Sequence, residues 1–112
     1  MLNIKKYELL ENDFLNIGGI KLYRIKALID FENSIMDVKK GDLGGYIESE
    51  ENLSQEGNCW IDCDAIVCAK ARVIENAIVT GDYHLSRPFT IKGSSCLDSW
   101  DKICDCGRIH KA

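Results

Sequence analysis

Residues 57–98 read, in groups of six, GNCWID CDAIVC AKARVI ENAIVT GDYHLS RPFTIK GSSCLD. The fifth position is Ile61, Val67, Val73, Val79, Leu85, Ile91 and Leu97, aliphatic in every group. The third is Cys59, Ala65, Ala71 and Ala77, then Tyr83, Phe89 and Ser95. An α-helix turns about 600° over six residues and cannot hold such a column on one face. A hairpin meander needs longer turns to keep it. The pattern therefore predicts short strands, each followed by a two-residue corner, wound into a solenoid. Asn58, Asp64, Asn76 and Asp82 at the second position tolerate a left-handed backbone and are the expected corners.

Side chains alternate along a strand, so third and fifth positions face inward while fourth and sixth face outward. If three groups make one triangular turn, residues 18 apart stack. The interior is then Ile61 over Val79 over Leu97, Val67 over Leu85, and Val73 over Ile91, with small residues filling the other inner column. Tyr83 and Phe89 are too large for an interior Ala position and fit where the prism widens into a cap. Among the outward fourth positions, Trp60, Ile78 and Cys96 share one face. An outward apolar stripe is either covered by the N-terminal segment or another subunit, or it binds a different protein. Trp60 and Ile78 are taken as binding candidates on the second reading.

The chain, of 112 residues, is expected to be one all-β domain. Residues 1–46 form an N-terminal β region, in which Gly18-Gly19 joins two alternating runs as a hairpin turn. Residues 47–98 form the repeat, with an irregular lead-in where Leu53 occupies a third position and Gln55 breaks the aliphatic column. Residues 99–112 leave the period, and Trp100, Ile103 and Ile109 are expected to cap its open end.

The net charge of −4 is unevenly spread. Residues 41–65 hold seven acidic side chains (Asp42, Glu48, Glu50, Glu51, Glu56, Asp62, Asp64) and no Lys or Arg. Such a stretch is either solvated surface or a patch that attracts a basic partner; it argues against direct contact with nucleic acid. Glu48, Glu50, Glu51, Glu56, Asp62 and Asp64 are the acidic binding candidates. No apolar run reaches membrane-span length and no secretory h-region opens the chain, so the expected location is the cytoplasm, with no membrane partner. The six cysteines are then expected to be reduced thiols.

The six-residue column, with a small residue four places after each aliphatic one (Val67 and Ala71, Val73 and Ala77), resembles the hexapeptide pattern of left-handed parallel β-helix proteins. Lys40-Gly41-Asp42-Leu43-Gly44-Gly45-Tyr46-Ile47-Glu48, followed by Asn52-Leu53-Ser54-Gln55 and Gly57-Asn58, looks more narrowly like the entry segment of short bacterial and phage proteins. Those carry N-A-x-V units and are labelled hypothetical proteins or transferases. The resemblance covers roughly residues 20–85 and implies a left-handed parallel β-helix of about two turns. Hexapeptide acyltransferases have more turns, form trimers and place a catalytic His between subunits beside an acyl-CoA site. Here the histidines are His84 and His110. His84, at an outward strand position, is the candidate base if the chain is such an enzyme.

The favoured function is binding without catalysis and without a cofactor. Given the phage-like resemblance, the specific form is an inhibitor of a host defence system (anti-CRISPR-like). It would block a basic surface of a host protein or complex with its acidic edge and the Trp60/Ile78 face. The rivals are a reduced trimeric acyltransferase and a self-assembling structural protein, and a homo-oligomer is compatible with both. Cys96, Cys104, Cys106 and His110 could supply zinc ligands, but their spacing departs from the usual C-x2-C pair and no metal is assigned. Gly41-Asp42-Leu43-Gly44-Gly45 lacks the Lys-Ser/Thr of a phosphate-binding loop.

Overall fold

The computed structural model describes residues 5–33, 36–62, 64–81, 83–86, 88–94 and 96–97, together with the backbone of two short strands near the C-terminus. The protein is all-β. Its strands are β1 (Tyr7–Ile17), β2 (Ile20–Ala27), β3 (Phe31–Glu32), β4 (Asp37–Val38) and β5 (Leu43–Ile47), followed by a 3-10 turn at Glu50–Asn52. Then come seven two-residue strands: β6 (Trp60–Ile61), β7 (Ile66–Val67), β8 (Arg72–Val73), β9 (Ile78–Val79), β10 (His84–Leu85), β11 (Thr90–Ile91) and β12 (Cys96–Leu97). The last two strands are β13 (Lys102–Ile103) and β14 (Ile109–His110).

The repeat pairs in parallel at the expected interval. Trp60 lies beside Ile78 and Ile78 beside Cys96; Ile66 lies beside His84, and Arg72 beside Thr90. Three ladders result: β6-β9-β12, β8-β11, and β7-β10 within a larger sheet. All seven fifth-position aliphatics are buried, as are Cys59, Ala65, Ala71 and Ala77 at the third. Tyr83 and Phe89 are partly buried against the same core.

The inner column also extends backward. Ile47 pairs with Val67 and Leu53 with Val73, each 20 residues apart instead of 18. Leu53 therefore belongs to the fifth-position column, not the third as the sequence pattern placed it. The shift arises because eight residues, not six, separate Leu53 from Ile61.

The corners also differ from expectation. Positive φ occurs at the first position of the repeat, at Gly57, Ala69, Glu75, Gly81 and Gly93; of the expected second-position corners, Asn58, Asp64 and Asn76 do not have it, and Asp82 lies outside the described residues. Ala69 (φ 56°) and Glu75 (φ 61°) hold this conformation with a side chain, at a cost of order 1–3 kcal/mol each that the surroundings must offset. At Ala69 the enforcement is visible. Its N–H donates to the Glu48 carboxylate at 2.8 Å, and its carbonyl accepts from Asn52 Nδ2 at 3.2 Å. Asn52 is fully buried, and its side chain also bonds the Ala71 carbonyl and the amides of Glu48 and Ser49. Gly57 stacks over Glu75, whose carbonyl a Cβ on Gly57 would strike.

The N-terminal residues close the first coil. Within the repeat, the carbonyls of Val73, Ala77 and Gly93 accept amides from the preceding coil. The equivalent carbonyls of the first coil have no preceding coil, and side chains take them instead. Lys6 Nζ donates to the carbonyls of Cys59 (2.7 Å) and Gly57 (3.3 Å), and Tyr7 Oη donates to that of Leu53. Lys6 is 2% exposed, and burial holds its ammonium pKa below the ordinary lysine value.

From this end β1 and β2 run as an antiparallel hairpin, with Ile17 opposite Ile20. Gly18 and Gly19 both have positive φ, as a tight two-residue hairpin turn requires. β2 pairs with β5, and β5 in parallel with β7, so the hairpin widens one face into the sheet β1-β2-β5-β7-β10. Gly44 and Gly45 permit this junction, since a Cβ at either would run into the carbonyl of Ile61 or Ala65. At the far end β13 and β14 pair antiparallel. Trp100, and with it the expected cap contact, lies outside the described residues.

Asn52→Ala removes four hydrogen bonds to buried or half-buried backbone groups. At about 1–3 kcal/mol for a group left unsatisfied, we expect a loss of about 3 kcal/mol or more in urea denaturation.

Candidate functional site

The acidic stretch spans more than one turn of chain, so its members are distributed around the first coil. Several are engaged within the protein. Glu48 accepts from Ala69 N, and Asp42 accepts from Lys39 N. Asp64 faces Arg24 at 3.3 Å, although it is largely exposed. Glu50 pairs with Lys5 at 3.3 Å and accepts from Gln55 Nε2 at 2.8 Å. The Gln55 hydrogen bond, assisted by Lys5, holds the Glu50 carboxyl below the usual carboxylate range. Asp62 is half-buried. Glu51 and Glu56 are exposed, and neither forms an ion pair among the described residues. They are the carboxylates best placed to meet a partner.

Trp60 and Ile78 require a correction. Each is 1% exposed, so the face they share is closed. The Trp60 ring meets Phe31 edge-on at 5.4 Å and Tyr7 at 6.5 Å between centroids. Asn33 Nδ2 holds the β3–β4 hairpin by the Asn58 carbonyl at 3.1 Å. An indole on the outside of a narrow column costs too much exposed apolar area to remain open, and the N-terminal segment covers it.

The exposed apolar residues lie elsewhere. Phe14, Leu15, Ile17 and Ile20 cluster at the β1–β2 hairpin tip, and Leu43 begins β5. Pattern reasoning passed over them because alternation in β1 gives no hint that both faces of the hairpin tip lie open. It also passed over Arg24. That guanidinium stacks on Tyr46 (4.4 Å to the ring centroid), donates to the Gly44 carbonyl at 2.8 Å and faces Asp13 at 3.3 Å. It thereby ties β1, β2 and β5 to the corner at Asp64.

His84 is exposed on β10, with Nε2 3.6 Å from Cys68 Sγ. Burial, with the nearby Glu48 charge, raises the Cys68 thiol above its ordinary pKa, and the thiol and the imidazole are in hydrogen-bond contact. The two residues border a cleft of about 230 Å³ lined by Ile17, Ile20, Leu22, Ala69 and Ser86. The 18-residue register could have revealed this pair, since His84 stacks on Ile66, two residues before Cys68. Of the zinc candidates, Cys96 is partly buried on β12, while Cys104 and Cys106 lie outside the described residues. His110 is described only as backbone of β14. Among the described residues no helix is long and apolar enough to cross a membrane.

No protein-family model matches the chain. Over 64 residues it is 43% identical to a protein of Escherichia coli (strain K12) named "Uncharacterized acetyltransferase YdcK". The likeness is local. It takes in 56% of this chain and 18% of that protein, so the chain spans less than a fifth of its relative's length. The relative's name loosely fits the hexapeptide-repeat, transferase-like character read from the sequence.

Trp60→Ala is expected to act on stability, costing about 3–5 kcal/mol in denaturant unfolding. Because the Glu50 pKa is lowered on folding, its stabilisation is present above the unfolded value of about 4.3 and is lost as pH falls through the folded value. Glu50→Gln is therefore expected to lessen the decline in urea midpoint between pH 6 and pH 3.

Proposed function

We propose that this chain is a binding protein that acts without catalysis, built on a short left-handed parallel β-helix. Its first coil presents carboxylates to a basic surface of a macromolecular partner. The β-helix reading draws support from three parallel ladders with an 18-residue repeat and from positive φ at the first position of five groups, at Gly57, Ala69, Glu75, Gly81 and Gly93. The observation that carries the binding reading is the exposure of Glu51 and Glu56 in a 25-residue stretch that lacks any basic side chain. Unpaired carboxylates on a rigid coil give a fixed negative field. Such a field steers a basic partner and weakens with salt over a Debye length of about 8 Å at physiological ionic strength.

The specific form of this reading is an inhibitor of a host defence system, anti-CRISPR-like, encoded by a phage or mobile element and acting in the host cytoplasm. The carboxylates would occupy a basic surface that otherwise receives nucleic acid. Glu51 and Glu56 are better probes than Glu50, because Glu50 also secures the N-terminal segment through Lys5 and Gln55.

A second reading, acyl transfer, is favoured by the name of the Escherichia coli relative and would use His84 as base in a trimer. In that case Nε2 must be released from Cys68 to reach substrate.

Expression of the chain in cells with an active CRISPR system is expected to restore phage plaques. Glu51→Lys combined with Glu56→Lys is expected to reduce that restoration more than tenfold with an unchanged melting temperature, a ratio of about 1.4 kcal/mol in binding. Unchanged restoration by the double variant removes the acidic edge from the mechanism. Acetyl transfer from acetyl-CoA that His84→Ala abolishes establishes the second reading instead.

A further inference from the structure

We propose that Cys68 and His84 form half of a tetrahedral zinc site, completed by the same pair from a second copy of this chain. The first support is the span of the pair. Zinc binds sulfur at about 2.3 Å and imidazole nitrogen at about 2.0–2.1 Å, and at a tetrahedral angle these bonds place the two ligand atoms about 3.6 Å apart. Cys68 Sγ and His84 Nε2 are 3.6 Å apart. Zinc binds Cys68 as the thiolate, and the thiol proton passes to solvent as the Zn–S bond forms.

The second support is the surroundings. The pair opens into the cleft lined by Ile17, Ile20 and Leu22, and Ile17 and Ile20 are 43% and 40% exposed. Among the described residues no third His, Cys, Asp or Glu joins the pair as a ligand. Glu48, whose charge acts on the Cys68 thiol, is held by the Ala69 amide. Zinc on one copy would carry two waters and a net charge of +1 beside apolar side chains, an unfavourable setting. Two copies related by a twofold axis supply two thiolates and two neutral imidazoles. That set neutralises the Zn2+ charge, fills four positions and buries the exposed isoleucines of both hairpins. The apolar rim and the incomplete ligand set thus call for the same occupant.

The test uses the full chain carrying Cys96→Ser, Cys104→Ser and Cys106→Ser, so that other candidate thiols do not compete. Zinc binding is followed by calorimetry, cobalt(II) binding by visible absorption, and mass by sedimentation. One metal per two chains, a doubled mass reversed by chelator, and the cobalt bands of tetrahedral thiolate coordination are expected. Loss of an outer-shell partner weakens metal sites 10–100-fold, so loss of a ligand in Cys68→Ser or His84→Ala is expected to weaken binding more than about 100-fold and leave monomers. His84 is exposed, so His84→Ala should melt like the parent and separates loss of metal from loss of fold. No binding, one metal per chain without a change in mass, or undiminished binding by His84→Ala overturns the proposal.

Discussion

Each strand of the repeat is two residues long, too short to be held by its own hydrogen bonds. What sustains it is one aliphatic side chain per strand, stacked on its neighbours in the coils before and after. Every corner must bring the next such residue back to the interior after six residues, and this return is the constraint the other features serve. The small third-position residues keep the column narrow. Gly57 lets two corners stack, and Asn52 with Glu48 holds the Ala69 corner where no glycine is available.

The column was legible because burial imposes a period that survives in the residues themselves. Ile61, Val67, Val73, Val79, Leu85, Ile91 and Leu97 announce their partners by spacing alone, and the pairing agrees. The corner position was not legible. Ala69 and Glu75 adopt a backbone that neither residue prefers, and the groups that enforce it are hydrogen bonds made across coils. The lead-in was misread for a related reason. Two additional residues before Ile61 displaced Leu53 from its apparent phase, although Ile47 and Leu53 keep a six-residue step between themselves.

The candidate site was less legible still. A run of acidic residues in sequence says nothing about which carboxylates the fold itself consumes. Glu48, Glu50 and Asp64 are engaged by Ala69, by Lys5 with Gln55, and by Arg24. Trp60 looked available because its strand position points outward, yet Phe31 and Tyr7 come from segments whose packing no period reveals. Cys68 and His84 are adjacent only through the register between β7 and β10.

The closure of the first coil by Lys6 and Tyr7 bears on growth of the array by end-to-end addition. A parallel array is a template at each end, because its last row of carbonyls can accept the amides of another array. Here that row is occupied by an ammonium and a phenol tethered to the same chain. A second molecule adding coils at this end would have to displace a buried cation and then leave it without its acceptors. The leading edge is thus terminated chemically as well as sterically, and growth by end-to-end addition there is opposed by the fold itself.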